Sequence, residues 1–272
     1  MNQDGSKKRL KAYLTSVKKV SVIGAGTFGS LWATLLATKF RVDIWSLNSK
    51  FKAYPYIKQK YKVTDVDFEA IFKNKVIFIC SSINSIEEVA SKMVPHIKAG
   101  TLVLDCCSIK HYPLTVLTRT LPEVVNILGT HPMFGPDSCK AGVKGLPIVL
   151  SPCRSSEDEL KIWEDIFTSL ELKVVVMDSL EHDKEAALTQ GLTHLVGRVC
   201  SGLVNQGKES QIATKNYKNF CNMVNSVCSD SMDLFLAMQK LNPCMEEVRE
   251  AFSRSLNQLS SIIMNSNRQA KR

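Results

Sequence analysis

A glycine-rich segment at residues 24–29 constrains the fold of this chain more than any other feature. The segment has the pattern G-x-G-x-x-G, and an apolar run that includes Val20, Val22 and Ile23 precedes it. The apolar residues of the segment that follows share one helical face: Phe28, Leu31, Trp32, Leu35 and Leu36. A strand, a tight turn and a helix in this order predict the dinucleotide-binding turn of a Rossmann-type sheet.

The residues of this turn have separate physical roles. Gly24 permits a sharp turn, Gly26 lets the backbone approach a pyrophosphate, and Gly29 lets the helix pack closely on the strand. The backbone N–H groups of Thr27 and Phe28 begin the helix, where the helix dipole also attracts an anion. These five residues are therefore predicted to bind a dinucleotide, and the alternative is a glycine-rich turn without a ligand.

The second strand, at residues 41–45, ends without the acidic residue that would hold the 2′-hydroxyl of NAD. Asp43 lies in the middle of the strand, too early to reach the ribose. Ser46, Asn48 and Lys50 follow the strand instead. Because a hydroxyl, an amide and an ammonium group suit a 2′-phosphate better than a carboxylate does, the sequence favours NADP over NAD.

Strands and helices alternate from residue 19 to about residue 179, which predicts a doubly wound, parallel α/β sheet with right-handed crossovers. In such sheets ligands bind at the carboxyl ends of the strands. Ser81 and Ser82 follow the predicted strand at residues 76–80 and are expected to contact the cofactor. Polar residues also follow the predicted strands at residues 102–104 and 124–128: Ser108 with Lys110, and Thr130 with His131.

The apolar periodicity changes from about residue 180, where helical spacing begins. One predicted stripe contains Leu188, Leu192, Leu195, Val199 and Leu203. A later predicted helix, which begins after Pro243, carries apolar residues at heptad spacing: Met245, Val248, Phe252, Leu256, Leu259 and Ile263. Because such helices bury themselves poorly alone, residues 180–272 predict an all-α domain that a second subunit completes in a homodimer.

The net charge of +9 is concentrated at the two ends of the chain. Residues 1–19 carry six basic groups and one acid, and residues 268–272 carry three basic groups, which leaves about +1 between them. Residues 1–18 are therefore predicted to be a flexible basic tail, followed by a dinucleotide-binding domain at residues 19–179. Nucleic-acid binding is not expected.

The cysteines and the hydropathy of the sequence indicate in which cellular compartment the protein is expected. Nine cysteines show no C-x-x-C pair and no metal-ligand spacing with histidine, so no metal site is predicted and a reducing compartment is favoured. No apolar run approaches the length of a membrane span, and the basic amino terminus lacks the apolar stretch of a secretory signal. A cytoplasmic protein without a membrane partner is expected.

Three motifs in the correct order resemble the prephenate/arogenate dehydrogenase family of tyrosine biosynthesis. They are D-x-x-S-x-K at residues 105–110, GTHPMFGPDS at residues 129–138 and QGLTHLVGR at residues 190–198. A later stretch at residues 214–243 is similar to the arogenate-type branch. The resemblance implies an NAD(P)-dependent oxidative decarboxylation of a cyclohexadienyl dicarboxylate, which yields tyrosine from arogenate or 4-hydroxyphenylpyruvate from prephenate.

The resemblance also implies roles for single residues. His131 matches the family histidine that takes the proton of the substrate hydroxyl, and an imidazole with an ordinary pKa of about 6.5 is largely neutral at pH 7 and able to do so. Ser108 matches the family serine that hydrogen-bonds the same hydroxyl and the histidine. His182, among charged residues, is interpreted as part of a solvated first helical turn.

Substrate binding is implied for residues in the second and third motifs and beyond them: Asp137, Gln190, His194, Arg198 and Lys215. Much of the family clamps the substrate side-chain carboxylate with an arginine whose counterpart is not evident here. Arg198, Lys215 and Lys218 are the candidates, and a lysine would lose the bidentate fork. The choice between arogenate and prephenate therefore stays open.

Two other functions fit the same architecture. One is an NADP-binding sensor without catalysis, which would be expected to lose the polar residues His131, Ser108 and Asp137. The other is a 3-hydroxy acid dehydrogenase, which relies on a lysine in the first helix of the helical domain. Lys184 is the lysine available there, and it lies outside the face formed by residues 190–198.

Overall fold

The computed structural model describes residues 3–204 and 211–269. The chain divides into two compact units, Met1–His182 and Asp183–Arg272. The strands of the first unit are β1 Lys19–Ile23, β2 Arg41–Trp45, β3 Val63–Asp65, β4 Val76–Ile79, β5 Leu102–Asp105, β6 Asn126–Pro132, β7 Pro147–Arg154 and β8 Lys173–Val176. Its helices are α1 Gln3–Ser16, α2 Thr27–Leu36, α3 Phe68–Ile71, α4 Ile86–Met93, α5 His111–Thr120 and α6 Glu157–Ser169; the unit boundary falls within α7 Ser179–Ala186.

The eight strands form one sheet in the order β3-β2-β1-β4-β5-β6-β7-β8. All neighbours are parallel except β6 and β7, which pair antiparallel. The sequence predicted parallel strands throughout. The difference arises because no helix lies between β6 and β7, and a connection without a crossover returns the chain antiparallel.

Helices cover both faces of the sheet, so the central strands are buried on each side. One core contains Trp32, Phe78 and Trp163, and the other contains Ile77 and Met93. Burial of both faces explains the continuous apolar runs of β4 and β5. The predicted Rossmann-type, doubly wound α/β fold followed by helices is confirmed.

Two strands depart from the sequence prediction. β6 extends to Pro132, four residues beyond the predicted end at Leu128, because pairing with β7 continues to Pro132 opposite Ile148. Thr130 and His131 consequently lie inside a strand. The strand β3 was not predicted, since three residues at a sheet edge leave no periodic pattern.

The flexible tail predicted for residues 1–18 is wrong, because residues 3–16 form the helix α1. Its apolar side chains pack on the first core, and the Tyr13 ring meets that of Trp163 edge-on at 6.1 Å. Burial raises the pKa of Tyr13 well above its ordinary value. The prediction of a tail rested on the charges of this segment and overlooked its apolar residues, which are Leu10, Tyr13 and Leu14 in α1 and Val17 directly after it.

The second unit is helical. A π-helical turn, Ala187–Leu192, continues into α8 Thr193–Cys200, and α9 Lys215–Ser229, α10 Met232–Leu241 and α11 Met245–Gln269 follow. Two glycines permit close packing there. A Cβ on Gly191 would lie 2.2 Å from Met245 Sδ, and a Cβ on Gly197 would lie 2.2 Å from Val227 Cγ2.

The apolar stripes predicted for this unit are largely open on the single chain. Leu203 is 80% exposed, and Leu188 and Val199 are also exposed. In the α11 seam Met245 is buried, whereas Leu256, Leu259 and Ile263 are exposed. A second subunit that covers these residues stays a prediction.

Membrane spans and metal clusters are both absent from the described residues. Over residues 3–204 and 211–269, no helix combines the length and the apolar character of a bilayer span. In the same ranges, no cluster of three or more histidine, cysteine or acidic side chains is arranged to hold a metal ion. All nine cysteines are free thiols.

Candidate active site

The glycine-rich turn has the geometry that a dinucleotide requires. Gly24 has a φ of +106°, and a Cβ there would lie 2.7 Å from the Cys80 carbonyl oxygen. A Cβ on Gly29 would lie 1.9 Å from the Gly24 oxygen, so both positions require glycine. At Gly26, by contrast, no described atom lies within 4 Å of such a Cβ, which leaves the backbone open on that side.

The start of α2 offers unpaired donors to an anion. Gly26 caps the helix without a side-chain hydrogen bond, and the first turn contains no acid. Gly26 and Thr27 are exposed, while Phe28 is half-buried and its ring stacks on Trp32. The Phe28 side chain therefore belongs to the core, and its contribution to a ligand is its N–H group. The uncapped helix and the open Gly26 fit the pyrophosphate of NAD(P).

Ser81 and Ser82 lie directly after β4, beside the glycine turn. A Cβ on Gly24 would lie 2.9 Å from the Ser81 backbone nitrogen, so the two backbones are in close approach. The Ser81 hydroxyl oxygen is buried and has no hydrogen-bond partner among the described residues. Ser82 is exposed. Both residues are placed at the carboxyl edge of the sheet, as the sequence predicted.

The residues predicted to bind the 2′-phosphate surround one depression after β2. Ser46, Asn48 and Lys50 line it, together with Asp65 and Asp67 from the end of β3 and beyond. Asn48 and Lys50 are exposed, and Ser46 is half-buried. The two acids were not predicted from the sequence because they lie near a strand that was itself missed.

Asp43, the acid excluded from ribose binding on sequence grounds, has a structural role. Its carboxylate is buried, pairs with Lys19 at 3.0 Å and accepts a hydrogen bond from Asn74 at 2.9 Å.

A buried ion pair organises the loop after β5. Lys110 and Asp105 are both fully buried and paired, and Asp105 also accepts the Cys107 N–H at 3.1 Å. Burial raises the pKa of Asp105, although Lys110 opposes that shift. The pair fixes both ends of the segment that carries Ser108. The Ser108 hydroxyl is half-buried and has no hydrogen-bond partner, His131 included, within the part of the chain that the structure describes.

His131 lies in β6, next to this loop, and is 3% exposed. Its neighbour Thr130 donates from its hydroxyl to the Asp105 carbonyl at 2.5 Å, which ties β6 to the end of β5. Burial, and to a lesser extent His182 and Lys110, hold the pKa of His131 well below its ordinary value. The imidazole is therefore neutral at pH 7 and available as a proton acceptor.

The Nδ1 atom of His131 lies 2.8 Å from Nε2 of His182, which is 2% exposed. The sequence interpretation of His182 as a solvated residue is therefore wrong. Its charged neighbours Glu181, Lys184 and Glu185 are exposed and hid the buried face of α7. The available signal was the apolar Ala186 one turn later, which is buried on the same face.

Three predicted substrate residues in the second unit follow one another at helical spacing: Gln190, His194 and Arg198. Each has a buried polar atom without a hydrogen-bond partner among the described residues, namely Oε1, Nδ1 and Nε respectively. Buried polar groups are rarely left unpaired, so these three side chains are retained as candidates for substrate binding.

The other contacts of these side chains fix their positions. Arg198 donates to the Asp230 carbonyl oxygen, and its guanidinium lies 5.6 Å from the centre of the Phe235 ring. His194 Nε2 lies 3.7 Å from the Asp230 carboxylate. Burial lowers the pKa of His194, Asp230 opposes this shift, and Arg198 adds to it.

Two further predicted substrate residues lie in a different setting. Asp137 is exposed on the loop between β6 and β7 and pairs with Lys140 at 2.7 Å. Lys215 is exposed at the first position of α9. Neither is buried as His131 is, Lys218 is exposed as well, and Arg198 is half-buried.

Comparison with known proteins identifies related sequences for both parts of the chain. Residues 48–176 match the family described as prephenate dehydrogenase, nucleotide-binding domain, and residues 205–272 match a TYRAAT1-like, C-terminal domain. The chain is 32% identical over 241 residues to arogenate dehydrogenase 1, chloroplastic, of Arabidopsis thaliana; this match covers 86% of the present chain and 37% of the relative. It is also 32% identical over 237 residues to arogenate dehydrogenase 2, chloroplastic, of the same plant, and that match covers 84% of the present chain and 65% of the relative.

The chain thus spans between about one third and two thirds of the length of these relatives. Among solved structures, prephenate dehydrogenase from A. aeolicus in complex with hydroxyphenyl propionate and NAD+ superposes with a TM-score of 0.68 at 16% identity, over 92% of this chain and 91% of that one. That likeness supports the fold. The sequence matches, the glycine turn and the buried histidine together show that the chain belongs to the prephenate/arogenate dehydrogenase family.

Proposed function

We propose that the chain oxidises and decarboxylates arogenate, with hydride transfer to NADP, and so produces tyrosine. Prephenate, which would yield 4-hydroxyphenylpyruvate, is the alternative substrate. The observation that carries the proposal is His131, a buried and neutral imidazole on the strand next to the loop of Ser108. His131 lies in β6 and Ser108 follows β5, two neighbouring strands of a sheet whose first turn fits a dinucleotide.

The nicotinamide of the bound cofactor would accept the hydride from the ring carbon that bears the hydroxyl. His131 would take the hydroxyl proton at its Nε2 atom, because its Nδ1 atom faces His182. Ser108, with an uncommitted hydroxyl, would hydrogen-bond the same substrate oxygen. Loss of CO2 then makes the ring aromatic, which drives the reaction forward.

The row of unpaired polar atoms on the second unit supports binding of the substrate side chain. Arg198 would pair with a carboxylate through its free Nε. The unpaired atom of Gln190 is the acceptor Oε1, which needs a donor. The amino group of arogenate is such a donor and the keto group of prephenate is not, so this acceptor favours arogenate.

NADP is proposed over NAD because Ser46, Asn48 and Lys50 line the depression after β2. Asp65 and Asp67 line it too, and their charge would weaken the preference for a phosphate. Asp65 already accepts the Phe51 N–H at 3.3 Å, which limits its reach. The preference for NADP is therefore expected to be moderate.

The decisive experiment is an absorbance assay at the nicotinamide band with arogenate and with prephenate, each against NADP and against NAD. The proposal predicts the highest kcat/KM for arogenate with NADP. If no combination is turned over while NADP still binds by titration calorimetry, the chain is a cofactor-binding protein without this activity. Turnover of a 3-hydroxy acid instead would favour the other dehydrogenase class.

The proposed assembly is a homodimer, supported by the exposed apolar residues of α11: Leu256, Leu259, Ile262, Ile263 and Met264. An unpaired apolar helix face of this kind is typical of a subunit interface. Light scattering coupled to gel filtration would measure the mass, and a monomer at micromolar concentration would contradict the assignment. A reducing, cytoplasmic setting is proposed from the nine free thiols.

A further inference from the structure

The contact between His131 and His182 joins two buried imidazole rings in the first unit. Nδ1 of His131 and Nε2 of His182 are 2.8 Å apart, with ring centres 5.0 Å apart and planes inclined by 65°. At this distance one nitrogen donates and the other accepts, so a single proton lies between the rings. The sequence motifs gave His182 no role.

We infer that His182 is a positioning residue that holds His131 in the tautomer with its proton on Nδ1, which leaves Nε2 of His131 as the proton acceptor. The inference deepens the proposed function and rests on it for the identity of the proton donor. In the opposite arrangement His182 would donate to Nδ1, and Nε2 of His131 would carry a proton already. That arrangement cannot accept the hydroxyl proton.

The surroundings explain why an imidazole suits this position. The groups that act on the charge of His131 are His182 and Lys110, and Lys110 is itself paired with Asp105. A carboxylate in place of His182 would stabilise the imidazolium and raise the pKa of His131. An imidazole nitrogen accepts the hydrogen bond and orients the ring without the negative charge of a carboxylate.

The proton balance of the reaction gives the pair a further use. As the substrate O–H bond breaks, its electron pair would form the ring C=O while the ring carbon gives its hydride to the bound cofactor, and an N–H bond would form at His131 Nε2. The Nδ1–H of the resulting imidazolium then donates a charge-assisted hydrogen bond to His182, which is stronger than the neutral one. When CO2 departs, the electron pair returns to the ring and the phenolic oxygen takes the proton back.

Two substitutions separate positioning from packing. His182→Phe keeps a ring of similar size but has no lone pair, and we expect kcat to fall roughly 100-fold or more, as for loss of proton transfer. His182→Gln retains an acceptor, its amide oxygen, and we expect it to recover kcat to within about 10-fold of the unchanged protein. His111→Gln, at the exposed first residue of α5, is the matched control and should leave kcat unchanged.

A second readout does not depend on turnover. Nitrogen-15 NMR of the imidazoles in the cofactor-free protein reports which ring nitrogen carries the proton. The unchanged protein and His182→Gln should both show His131 with its proton on Nδ1, and His182→Phe should lose that preference. NADP binding and the thermal unfolding temperature check that each variant is folded.

The outcomes are distinct from those of the proposed function. If the unchanged protein turns over no cyclohexadienyl substrate, the proposed function fails, whereas the tautomer measured by NMR still decides the role of His182. Equal kcat for the Phe and Gln variants, or a proton on Nε2 of His131 in the unchanged protein, would overturn the inference.

Discussion

His131, buried in the first unit, and His194, half-buried in the second, differ in how far the surrounding residues satisfy their hydrogen-bonding groups. Burial lowers the pKa of both. His131 has a partner at 2.8 Å, whereas Nδ1 of His194 has none among the described residues and its Nε2 lies 3.7 Å from Asp230. A protein partner therefore orients the His131 ring before any ligand arrives, whereas Nδ1 of His194 is left without a partner among the described residues.

This difference separates reaction from recognition. A group that transfers a proton benefits from a fixed tautomer and orientation, which neighbouring residues must supply in advance. A group that recognises a substrate must keep a free donor or acceptor for it, at a cost of about 1–3 kcal/mol per unpaired buried atom until the substrate binds. Five measurements test or sharpen this contrast.

The largest effect is expected from substitution of His131. His131→Asn removes the proton acceptor, and kcat should fall by about 100-fold or more because general base catalysis typically contributes that much. The affinity for NADP should stay the same, since the glycine turn is untouched. Steady-state kinetics and calorimetry measure the two quantities, and unchanged turnover would remove His131 from the role of base.

The next largest effect is expected from substitution of Arg198, which lies one helical turn after His194. Arg198→Ala should lower kcat/KM for arogenate by roughly 10- to 100-fold, the range for a hydrogen bond to a charged group. Arg198→Lys should recover only part of this, because a lysine lacks the fork. Lys215→Ala is the control on an exposed cation and should change kcat/KM little. A larger loss at Lys215 than at Arg198 would exchange their roles.

The lowered pKa of His131 predicts how stability depends on pH. Below the unfolded pKa of about 6.5 the unfolded chain binds a proton that the folded chain rejects, so stability should rise with pH by up to about 1.4 kcal/mol per unit until pH 6.5 and then level off. Urea unfolding between pH 5 and pH 7 measures the slope. His131→Asn should reduce it, leaving the smaller contribution of His194, whose pKa shifts in the same direction. An identical slope in the variant would show that the folded protein binds a proton at His131 as readily as the unfolded chain does.

Gln190→Leu tests whether the unpaired Oε1 atom of Gln190 causes a preference for arogenate over prephenate. Loss of one neutral hydrogen bond should raise KM for arogenate by roughly 3- to 10-fold, and KM for prephenate should change less because prephenate has no amino group to donate. Parallel assays with both substrates give the ratio. Equal increases for the two would mean that Gln190 does not read the amino group.

The smallest effect is expected at the exposed edge of the cofactor site. Lys50→Ala should raise KM for NADP by roughly 2- to 5-fold, since an exposed ion pair contributes up to about 1 kcal/mol. KM for NAD should not change. The effect should shrink in high salt, and a salt-independent result would argue against a contact with the 2′-phosphate.

Sequence patterns predicted the fold well where the backbone imposes the residue type. Gly24 and Gly29 are required because any side chain would collide with the neighbouring backbone, and that constraint is local and readable. The positions of Ser108, in the loop after β5, and of His131, in the neighbouring strand β6, also followed from the alternation of strands and helices.

Features that depend on long-range packing were not readable in the same way. His182 is 51 positions from His131, and only the fold brings the two rings together. The helix α1 was missed because a charge count registers its basic residues and ignores the apolar Leu10, Tyr13 and Leu14. The unpaired atoms of Gln190, His194 and Arg198 require knowledge of what every neighbour donates or accepts.

The fully buried pair of Lys110 and Asp105 places two charges in the core of the sheet, and removing each from water carries a penalty of several kcal/mol that their attraction does not reliably repay. Apolar residues of similar volume at both positions would therefore be a natural target for thermostability engineering. The loop that carries Ser108 would then lose the ion pair that fixes its position, so a more thermostable protein would have a lower turnover rate. In this molecule the trade-off between robustness and turnover is concentrated in two side chains.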